Sequence, residues 1–345
     1  MAVKFSLFRY SAVRSRFLRG AAICLGFLSL LVLDAPAWAE YRLPDTGQTK
    51  CYDNNEEIPC PSPGQAFYGQ DANYAGKQPA YQNNGSTITD LITGLIWQQA
   101  DDGVARTFDE AATYCQDLDQ GGYDDWRLPF LKELLSIVDA GRSSPAINPV
   151  FTSSSSTDIY WSGTEYASSS SYAWGVNFYA GASVYNAKTL GGSKVRCVRG
   201  EFLPGSAYVD NGDGTVTDKS TGLVWEKGGS ASGMSWETAL TWCENATTGD
   251  YADWRLPNKR ELEILVDVSR NYPAIDPAFT ESGGLYWSGT TYNPAGFQYS
   301  AWRVNFSDGK SREYGKSSSF YSRCVRGGFG SFAPSIFNVL LLDVQ

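Results

Sequence analysis

The 345-residue chain contains no histidine. This absence excludes a Ser-His-Asp or Cys-His catalytic site, zinc held by histidine, and a histidine proton relay. Any enzymatic chemistry would have to use carboxylates, tyrosines or a cofactor that is bound without histidine.

Positive charge is also scarce. The chain has 28 Lys and Arg against 37 Asp and Glu, a net charge of −9. Five basic residues but only one acid, Asp34, fall in the first 39 residues, so the other 306 residues carry a net charge of −13. This balance argues against nucleic acid or any polyanion bound through bulk charge, and leaves open a local basic groove.

Long apolar runs are missing outside the N-terminal region. There, basic residues from Lys4 to Arg19 precede the apolar run 21–33 and the small residues of Ala37-Trp38-Ala39, which is typical of a signal peptide. We expect residues 1–39 to be cleaved, and the protein to be periplasmic, cell-surface or secreted. An uncleaved membrane anchor is the alternative, although the run is short for a bilayer span of about 20 residues.

One five-residue segment occurs twice in the remaining chain. Asp125-Trp126-Arg127-Leu128-Pro129 returns as residues 253–257, an offset of 128 residues. Further motifs repeat in the same order, namely Tyr-Trp-Ser-Gly-Thr at 160–164 and 286–290 and Arg-Cys-Val-Arg-Gly at 196–200 and 323–327. This period is too long for a solenoid and indicates a tandem duplication of one complete domain. We assign the domains to 80–202 and 203–330, with a C-terminal tail at 331–345.

The cysteines support export and the duplication. Six follow residue 39, an even number that favours disulfides in an exported chain. If each domain folds alone, the repeat predicts the pairs Cys115–Cys197 and Cys243–Cys324, which leaves Cys51 to pair with Cys60. Each long bridge would close a loop of about 80 residues, worth roughly 4 kcal/mol in the chain-entropy model. Free buried thiols are the alternative.

Residues 40–79 are rich in Pro, Gly, Asn and Gln and poor in aliphatic residues, so they cannot build a core of their own. We interpret this segment, called the leader below, as a disulfide-pinned extension that lies on the first domain. A flexible spacer from a membrane or a partner is the alternative.

Each domain is predicted to open with a hairpin and to continue with two helices. Thr107 and Ser235 are the expected N-caps of the first helix in each copy, and the second helices are expected at 131–138 and 259–268. The repeated Arg is expected to pair with the Glu six residues later, rather than to act in catalysis or ligand contact. The carboxylates that could serve a glycan hydrolase are better explained as helix ion-pair partners; they are Glu133, Asp139, Glu261 and Asp267.

The opening turn of the second domain, 210–218, is rich in Asp, Asn and Gly. It lacks the spacing of a calcium-binding loop and a Glu at the twelfth position. We therefore expect turn chemistry and no cofactor or metal, with structural calcium at Asp210, Asp213 and Asp218 as the alternative.

The second half of each domain contains aromatic, alternating segments that are typical of strands. The loops between them, 165–172 and 291–300, differ between the copies and are rich in Ser, Tyr, Gly and Asn. Variable loops of this composition on a fixed scaffold are a common place for binding. The candidate ligand contacts are Tyr166, Tyr172, Trp174, Asn177, Tyr292, Tyr299, Trp302 and Asn305; for the two Trp residues, a place in the core is the favoured interpretation.

These motifs, from Asp-Gly-Thr-Val-Thr-Asp and Thr-Gly-Leu-x-Trp through Asp-Trp-Arg-Leu-Pro to Arg-Cys-Val-Arg-Gly, resemble the Lcl C-terminal domain family over about 80–200 and 205–328. The first copy departs at its opening turn, where Asn84, Ser86 and Ile88 replace Asp, Gly and Val. The resemblance implies an α+β fold of two tandem C-type lectin-like domains, each with two helices on a small, mainly antiparallel sheet. It also implies export, and the adhesin that gives the family its name binds sulfated glycosaminoglycans as a trimer. The charge of this chain and its lack of a collagen-like repeat weaken the transfer of that activity.

We therefore expect a non-catalytic, adhesin-like or lectin-like module that recognises a glycan or a surface protein. Its aromatic content of 14% and its tandem domains, which raise avidity, favour this interpretation. The alternatives are a structural component of a cell-envelope assembly and a carboxylate-dependent glycan-processing enzyme.

Overall fold

The computed structural model describes residues 43–153, 158–201, 207–280 and 284–328, all of which fall in one compact unit. The predicted signal peptide, 1–39, and the predicted tail, 331–345, lie outside these ranges, as does the domain boundary expected after residue 202. Among the described residues, no helix has both the length and the apolar character needed to cross a membrane.

The leader forms a short hairpin and a single 3₁₀ turn. Strand β1, Cys51–Tyr52, pairs with strand β2, Glu57–Ile58, and the 3₁₀ turn follows at Asp71–Asn73. The predicted disulfide between Cys51 and Cys60 is present, with a sulfur–sulfur distance of 2.02 Å. It holds together a segment that has little apolar surface of its own.

The leader lies mainly against the second domain, so its expected place on the first domain is wrong. The Gln48 side chain donates to the Thr291 carbonyl at 2.8 Å and accepts from the Thr291 amide at 2.9 Å. The Thr290 hydroxyl donates to the Asp71 carboxylate at 2.6 Å. The second domain therefore supplies both donors and acceptors that match the polar groups of the leader.

The described part of the first domain contains two helices between two groups of strands. Its elements in chain order are β3 (Tyr81–Asn83), β4 (Thr87–Asp90), β5 (Ile96–Gln98), α1 (Phe108–Gln116), α2 (Leu131–Ser136), β6 (Ile159–Tyr166), β7 (Ser169–Asn177), β8 (Ala182–Ala187) and β9 (Val198–Arg199). One antiparallel sheet has the order β3-β4-β5-β9 and the other has the order β6-β7-β8.

The second domain repeats this arrangement. Its described elements are β10 (Tyr208–Asp210), β11 (Thr215–Asp218), β12 (Val224–Glu226), α3 (Trp236–Glu244), a 3₁₀ turn (Thr248–Asp250), α4 (Lys259–Ile264), β13 (Leu285–Thr291), β14 (Ser300–Asn305), β15 (Ser311–Gly315) and β16 (Val325–Arg326). The sheets have the orders β10-β11-β12-β16 and β13-β14-β15. The predicted α+β class and tandem organisation are confirmed, with two small sheets in each domain.

The helices begin where the sequence predicts and end earlier. Thr107 accepts from the Glu110 amide in a capping box, and Ser235 accepts from the Thr238 amide, so both predicted caps are confirmed. However, α2 and α4 stop before 138 and 268, the expected ends, because Val138 bridges to Ile147 and Val266 bridges to Ile275. Each helix therefore gives way to a short pairing of extended chain.

Each domain has its own core and its own long disulfide. In the first domain, Trp97, Leu134 and Tyr160 lie in a buried cluster, and Trp225, Leu262 and Tyr286 occupy the same places in the second. The predicted Cys115–Cys197 and Cys243–Cys324 bridges are present, with sulfur–sulfur distances of 2.01 and 2.11 Å. Each bridge ties the first helix to the final strand region of the same domain.

The two domains contact each other through equivalent elements. Helix α2 packs against α4, and β8 packs against β15. At the centre, the Ser183 amide donates to the Ser311 hydroxyl at 3.2 Å and the Ser311 amide donates to the Ser183 hydroxyl at 2.8 Å. These positions are 128 residues apart, so the contact is reciprocal, as in an isologous interface between identical subunits. The duplicated domains form a pseudo-two-fold pair within one chain.

Candidate functional site

The repeated Asp-Trp-Arg-Leu-Pro motif has a structural role in both copies. Both terminal nitrogens of Arg127 donate hydrogen bonds to the Glu133 carboxylate at 2.7 Å, and those of Arg255 donate to Glu261 at 2.6 Å. The predicted Arg–Glu pairs are therefore confirmed. The Asp of each motif forms a further ion pair with the last Arg of its domain, Arg199 or Arg326.

A second pair of arginines, which the sequence analysis did not single out, lies fully inside the domains. Arg196 donates to the carbonyls of Gln98 and Gln99, and Arg323 donates to the carbonyls of Glu226 and Lys227. Their position beside the disulfide cysteines in the Arg-Cys-Val-Arg motif was the available signal. They fasten the final strands to the opening hairpins.

The four candidate carboxylates of the enzymatic alternative all have local partners. Glu133 and Glu261 bind the motif arginines. Asp139 accepts from the Gly141 amide at 3.0 Å, and Asp267 accepts from both the amide and the hydroxyl of Ser269. These contacts provide a structural reason for each carboxylate.

The acids of the opening turn are engaged in turn hydrogen bonds. Asp213 accepts from the amide and hydroxyl of Thr215, and Asp218 accepts from Ser220 and Thr221. Asp210 forms an ion pair with Lys227 at 2.6 Å. Within the described ranges, no group of three or more acidic or cysteine side chains is placed to hold a metal ion. Turn chemistry without a metal stays the prediction, with structural calcium as its alternative.

Three of the eight candidate ligand contacts lie in the interior. Trp174 and Trp302 are each 1% exposed and Tyr292 is 8% exposed. Tyr166 meets Trp174 edge-to-face at 5.6 Å between ring centroids, and Tyr292 meets Trp302 in the same way at 5.2 Å. These matched pairs pack inside the two domains near the junction. The two Trp rings are therefore core residues and cannot contact a ligand at the surface.

The two candidate asparagines shape turns. The side-chain oxygen of Asn177 accepts from the Tyr179 amide at 2.8 Å, and that of Asn305 accepts from the Ser307 amide at 2.9 Å. Each residue ends the middle strand of its three-stranded sheet. Both residues are half-buried. Their side-chain oxygens already accept a hydrogen bond within the turn.

The exposed aromatic residues of the variable loops are Tyr172 and Tyr299, with Phe297 as a neighbour that sequence reasoning missed. Phe297 is 45% exposed and Tyr299 is 49% exposed, with ring centroids 6.0 Å apart. Phe297 also packs edge-to-face against the buried Tyr292 at 6.1 Å. Tyr179 of the first domain is exposed, and its neighbour Ala180 packs with Tyr292 and Trp302. Burial, and then the nearby Glu313, raise the pKa of Tyr292 to about 12. We call Tyr179, Phe297 and Tyr299 the junction aromatic patch.

The junction also has two clefts that the duplication makes equivalent. The leader cleft contains residues 44–48 and Asp71. There Arg260 donates to the carbonyl of Pro44 at 2.8 Å and to that of Asp45, and the Ala140 amide donates to the carbonyl of Thr46 at 2.8 Å. Burial and the neighbouring Asp45 raise the pKa of Asp71 to about 7.

The open cleft has a volume of about 440 Å³. Its lining includes Lys132, Gly163, Thr164, Asp267 and Val268. An offset of 128 or 126 residues relates these five positions to five that meet the leader, namely Arg260, Gly289, Thr290, Asp139 and Ala140. Burial lowers the pKa of Lys132 to about 8. The two clefts therefore use matched positions of the two domains.

A comparison with curated proteins gives no match. The family model described as the Lcl C-terminal domain matches residues 86–199 and 214–326, which together make up about two thirds of the chain. The matches coincide with the two folded repeats. This family is not a known enzyme family, and all six cysteines of the described residues form disulfides. The chain belongs to the Lcl C-terminal domain family and carries that domain twice in tandem.

Proposed function

We propose that the protein is an exported, non-catalytic binding module that holds a glycan or a surface protein through the junction aromatic patch. The observation that carries this proposal is the exposure of Phe297 and Tyr299, whose rings lie 6.0 Å apart. Tyr179 of the first domain is also exposed, and the next residue, Ala180, packs with Tyr292 beneath them. Exposed aromatic faces bind sugar rings and apolar protein side chains by stacking and burial of apolar surface. Three disulfides among the described residues and family membership support export.

The patch rests on a rigid base. Tyr292 and Trp302 pack with Ala180 of the first domain in a small buried cluster under the exposed rings. A preorganised aromatic surface loses little side-chain entropy on binding, which favours affinity. Because the patch draws residues from both domains, the relative placement of the domains becomes part of the binding surface.

The first test is a glycan-array screen of residues 40–345, with and without a chelator. We expect selective binding that persists in chelator and weakens at least about tenfold in Tyr299→Ala, the usual scale for an exposed aromatic anchor. Loss of binding in chelator would instead support calcium at the opening turn. Tyr251→Ala is the matched control, because Tyr251 is a similarly exposed tyrosine of the second domain that packs against Trp254 and Arg326.

A blank array would direct the search to a protein ligand by capture from envelope extracts. If the captured ligand bound equally well to wild type, Tyr299→Ala and Phe297→Ala, the patch assignment would be wrong. A structural role in an envelope assembly would then be the better explanation.

A further inference from the structure

The leader is recognised in its cleft largely through its main chain. Arg260 and the Ala140 amide donate to three consecutive carbonyls, those of Pro44, Asp45 and Thr46. Two side chains of the leader add to these contacts: the Asp71 carboxylate accepts from the Thr290 hydroxyl, and the Gln48 amide binds the main chain of Thr291. The contacts to the three carbonyls select a close-fitting polypeptide and do not depend on its side chains.

The close approach of the leader explains one glycine of the repeated Tyr-Trp-Ser-Gly-Thr motif. A Cβ at Gly289 would lie 3.3 Å from the Asp71 nitrogen and 3.6 Å from the Gly69 carbonyl oxygen. The equivalent residue in the open cleft is Gly163, where the nearest atom to an added Cβ is 3.4 Å away and belongs to Leu128 of the same domain. The open cleft therefore keeps the small residue that lets a backbone approach.

The open cleft also keeps the three donors. Lys132 takes the place of Arg260, and its ammonium makes one hydrogen bond among the described residues, to the Ile264 carbonyl at 2.8 Å. The Val268 amide takes the place of the Ala140 amide and donates to no group in the described part of the chain. The Thr164 hydroxyl accepts from the Leu131 amide at 3.0 Å, as Thr290 accepts from Lys259, which leaves the Thr164 proton to be donated.

From this match we infer that the open cleft binds a polypeptide segment of a partner protein. Main-chain carbonyls of the segment accept from Lys132 and the Val268 amide, and an oxygen acceptor of the segment accepts from Thr164. The cleft volume of about 440 Å³ lies within the usual range of about 300–1,000 Å³ for ligand sites. The leader shows that this surface of the fold accommodates a polypeptide, because it fills the equivalent surface on the other side of the junction.

One difference between the clefts defines the ligand more closely. Gly141 lies so near the leader that a Cβ there would be 2.4 Å from the Gly47 carbonyl oxygen. The matching residue of the open cleft is Ser269, whose Cβ stands in that path. The partner segment therefore follows the course of residues 44–46 and turns away before the position of Gly47.

The test uses a fluorescent synthetic peptide of residues 43–50 as the probe and residues 40–345 as the protein, with binding followed by anisotropy. The tethered leader keeps its own cleft filled, because a short tether gives an effective concentration in the millimolar range. We expect saturable binding that is about tenfold weaker in Lys132→Met, from the loss of a charged hydrogen bond. Ser269→Gly should tighten binding, because it removes the obstructing Cβ.

Lys227→Ala is the control, since it removes the same charge from the opening turn of the second domain. Unchanged binding in Lys132→Met, or no saturable binding to either wild type or Ser269→Gly, would overturn the inference. The result is independent of the glycan array, because none of these substitutions lies in the junction aromatic patch. A folded variant is verified by its thermal unfolding before each titration.

Discussion

The second helix of each domain and the motif before it differ in one respect: the leader lies on them in the second domain but not in the first. In the second domain the Arg255 side chain is 3% exposed beneath the leader, whereas Arg127 at the matching place is 30% exposed. Lys259 and Arg260 of α4 are buried, while Lys132 of α2 lines an open cleft. Lys132 and Arg260 occupy matching positions, and Arg260 donates to the carbonyls of Pro44 and Asp45, so the burial of Arg260 comes chiefly from the leader.

This contrast shows that two copies of a domain in one chain need not expose the same surface to solvent. The reciprocal contact between Ser183 and Ser311 keeps the domains equivalent at their centre. The leader then breaks the equivalence by binding one of two matched clefts. A chain can in this way stabilise one copy of a site and leave the other free for a ligand.

The largest expected effect comes from removing the motif arginines. Arg255→Met should destabilise the protein by roughly 3–5 kcal/mol, because Glu261 is left as a buried charge without its partner. Arg127→Met should cost less, since the Arg127 side chain is 30% exposed and water can enter the space that it leaves beside the buried Glu133. Urea unfolding of the two variants measures the difference, and equal losses would show that the leader adds nothing to the pair in the second domain.

Removing the cations of the two clefts should give the next largest effect. Arg260→Ala leaves the carbonyls of Pro44, Asp45 and Val138 without a donor, which should cost about 2–4 kcal/mol. Lys132→Ala removes a single bond to the Ile264 carbonyl and should cost about 1 kcal/mol. Thermal unfolding followed by circular dichroism tests this order. The reverse order would mean that the leader is bound mainly by other contacts.

The third expected effect is a pH dependence confined to the leader cleft. Burial and the adjacent Asp45 raise the pKa of Asp71 from its ordinary value of 3.8 to about 7, so between these values the folded protein holds a proton that the unfolded chain has lost. Asp71 therefore contributes less stability as pH rises from about 4 to 7, with a slope of at most about 1.4 kcal/mol per pH unit.

Asp71→Asn cannot titrate, so its stability relative to wild type should rise across this pH window and level off above it. Urea unfolding at several pH values measures the difference between the two proteins, which removes the contribution of the other carboxylates. Parallel curves for wild type and variant would show that Asp71 titrates normally.

Much of the fold could be predicted because its signals are local or repeated. Thr107 and Ser235 are typical N-cap residues and indicate where helices begin. The Arg and Glu of each ion pair lie six residues apart in sequence, and the repeat reduces the number of possible cysteine pairings. These features need only the preferences of short segments and the fact of duplication. They are sufficient to predict the α+β class and the tandem organisation.

The cleft and the junction were harder to predict, because their contacts are distant in sequence and depend on main-chain atoms. The leader has no apolar pattern that indicates which domain it binds. Strands β8 and β15 form part of the junction, yet their segments carry weak alternation and were not predicted. Tyr292 resembles an exposed loop tyrosine in sequence, but Trp302 and Ala180 bury it. In each case the burial depends on contacts between segments that are far apart in sequence.

The matched amides of Ala140 and Val268 offer the most direct measurement of the asymmetry between the clefts. Residue-resolved hydrogen exchange of the intact protein compares them in one sample, without substitution. The Ala140 amide, bound to the Thr46 carbonyl at 2.8 Å, should exchange at least about a hundredfold more slowly than the Val268 amide, which has no partner in the described part of the chain. Equal exchange at the two positions would contradict a leader that fills one cleft and leaves its counterpart open.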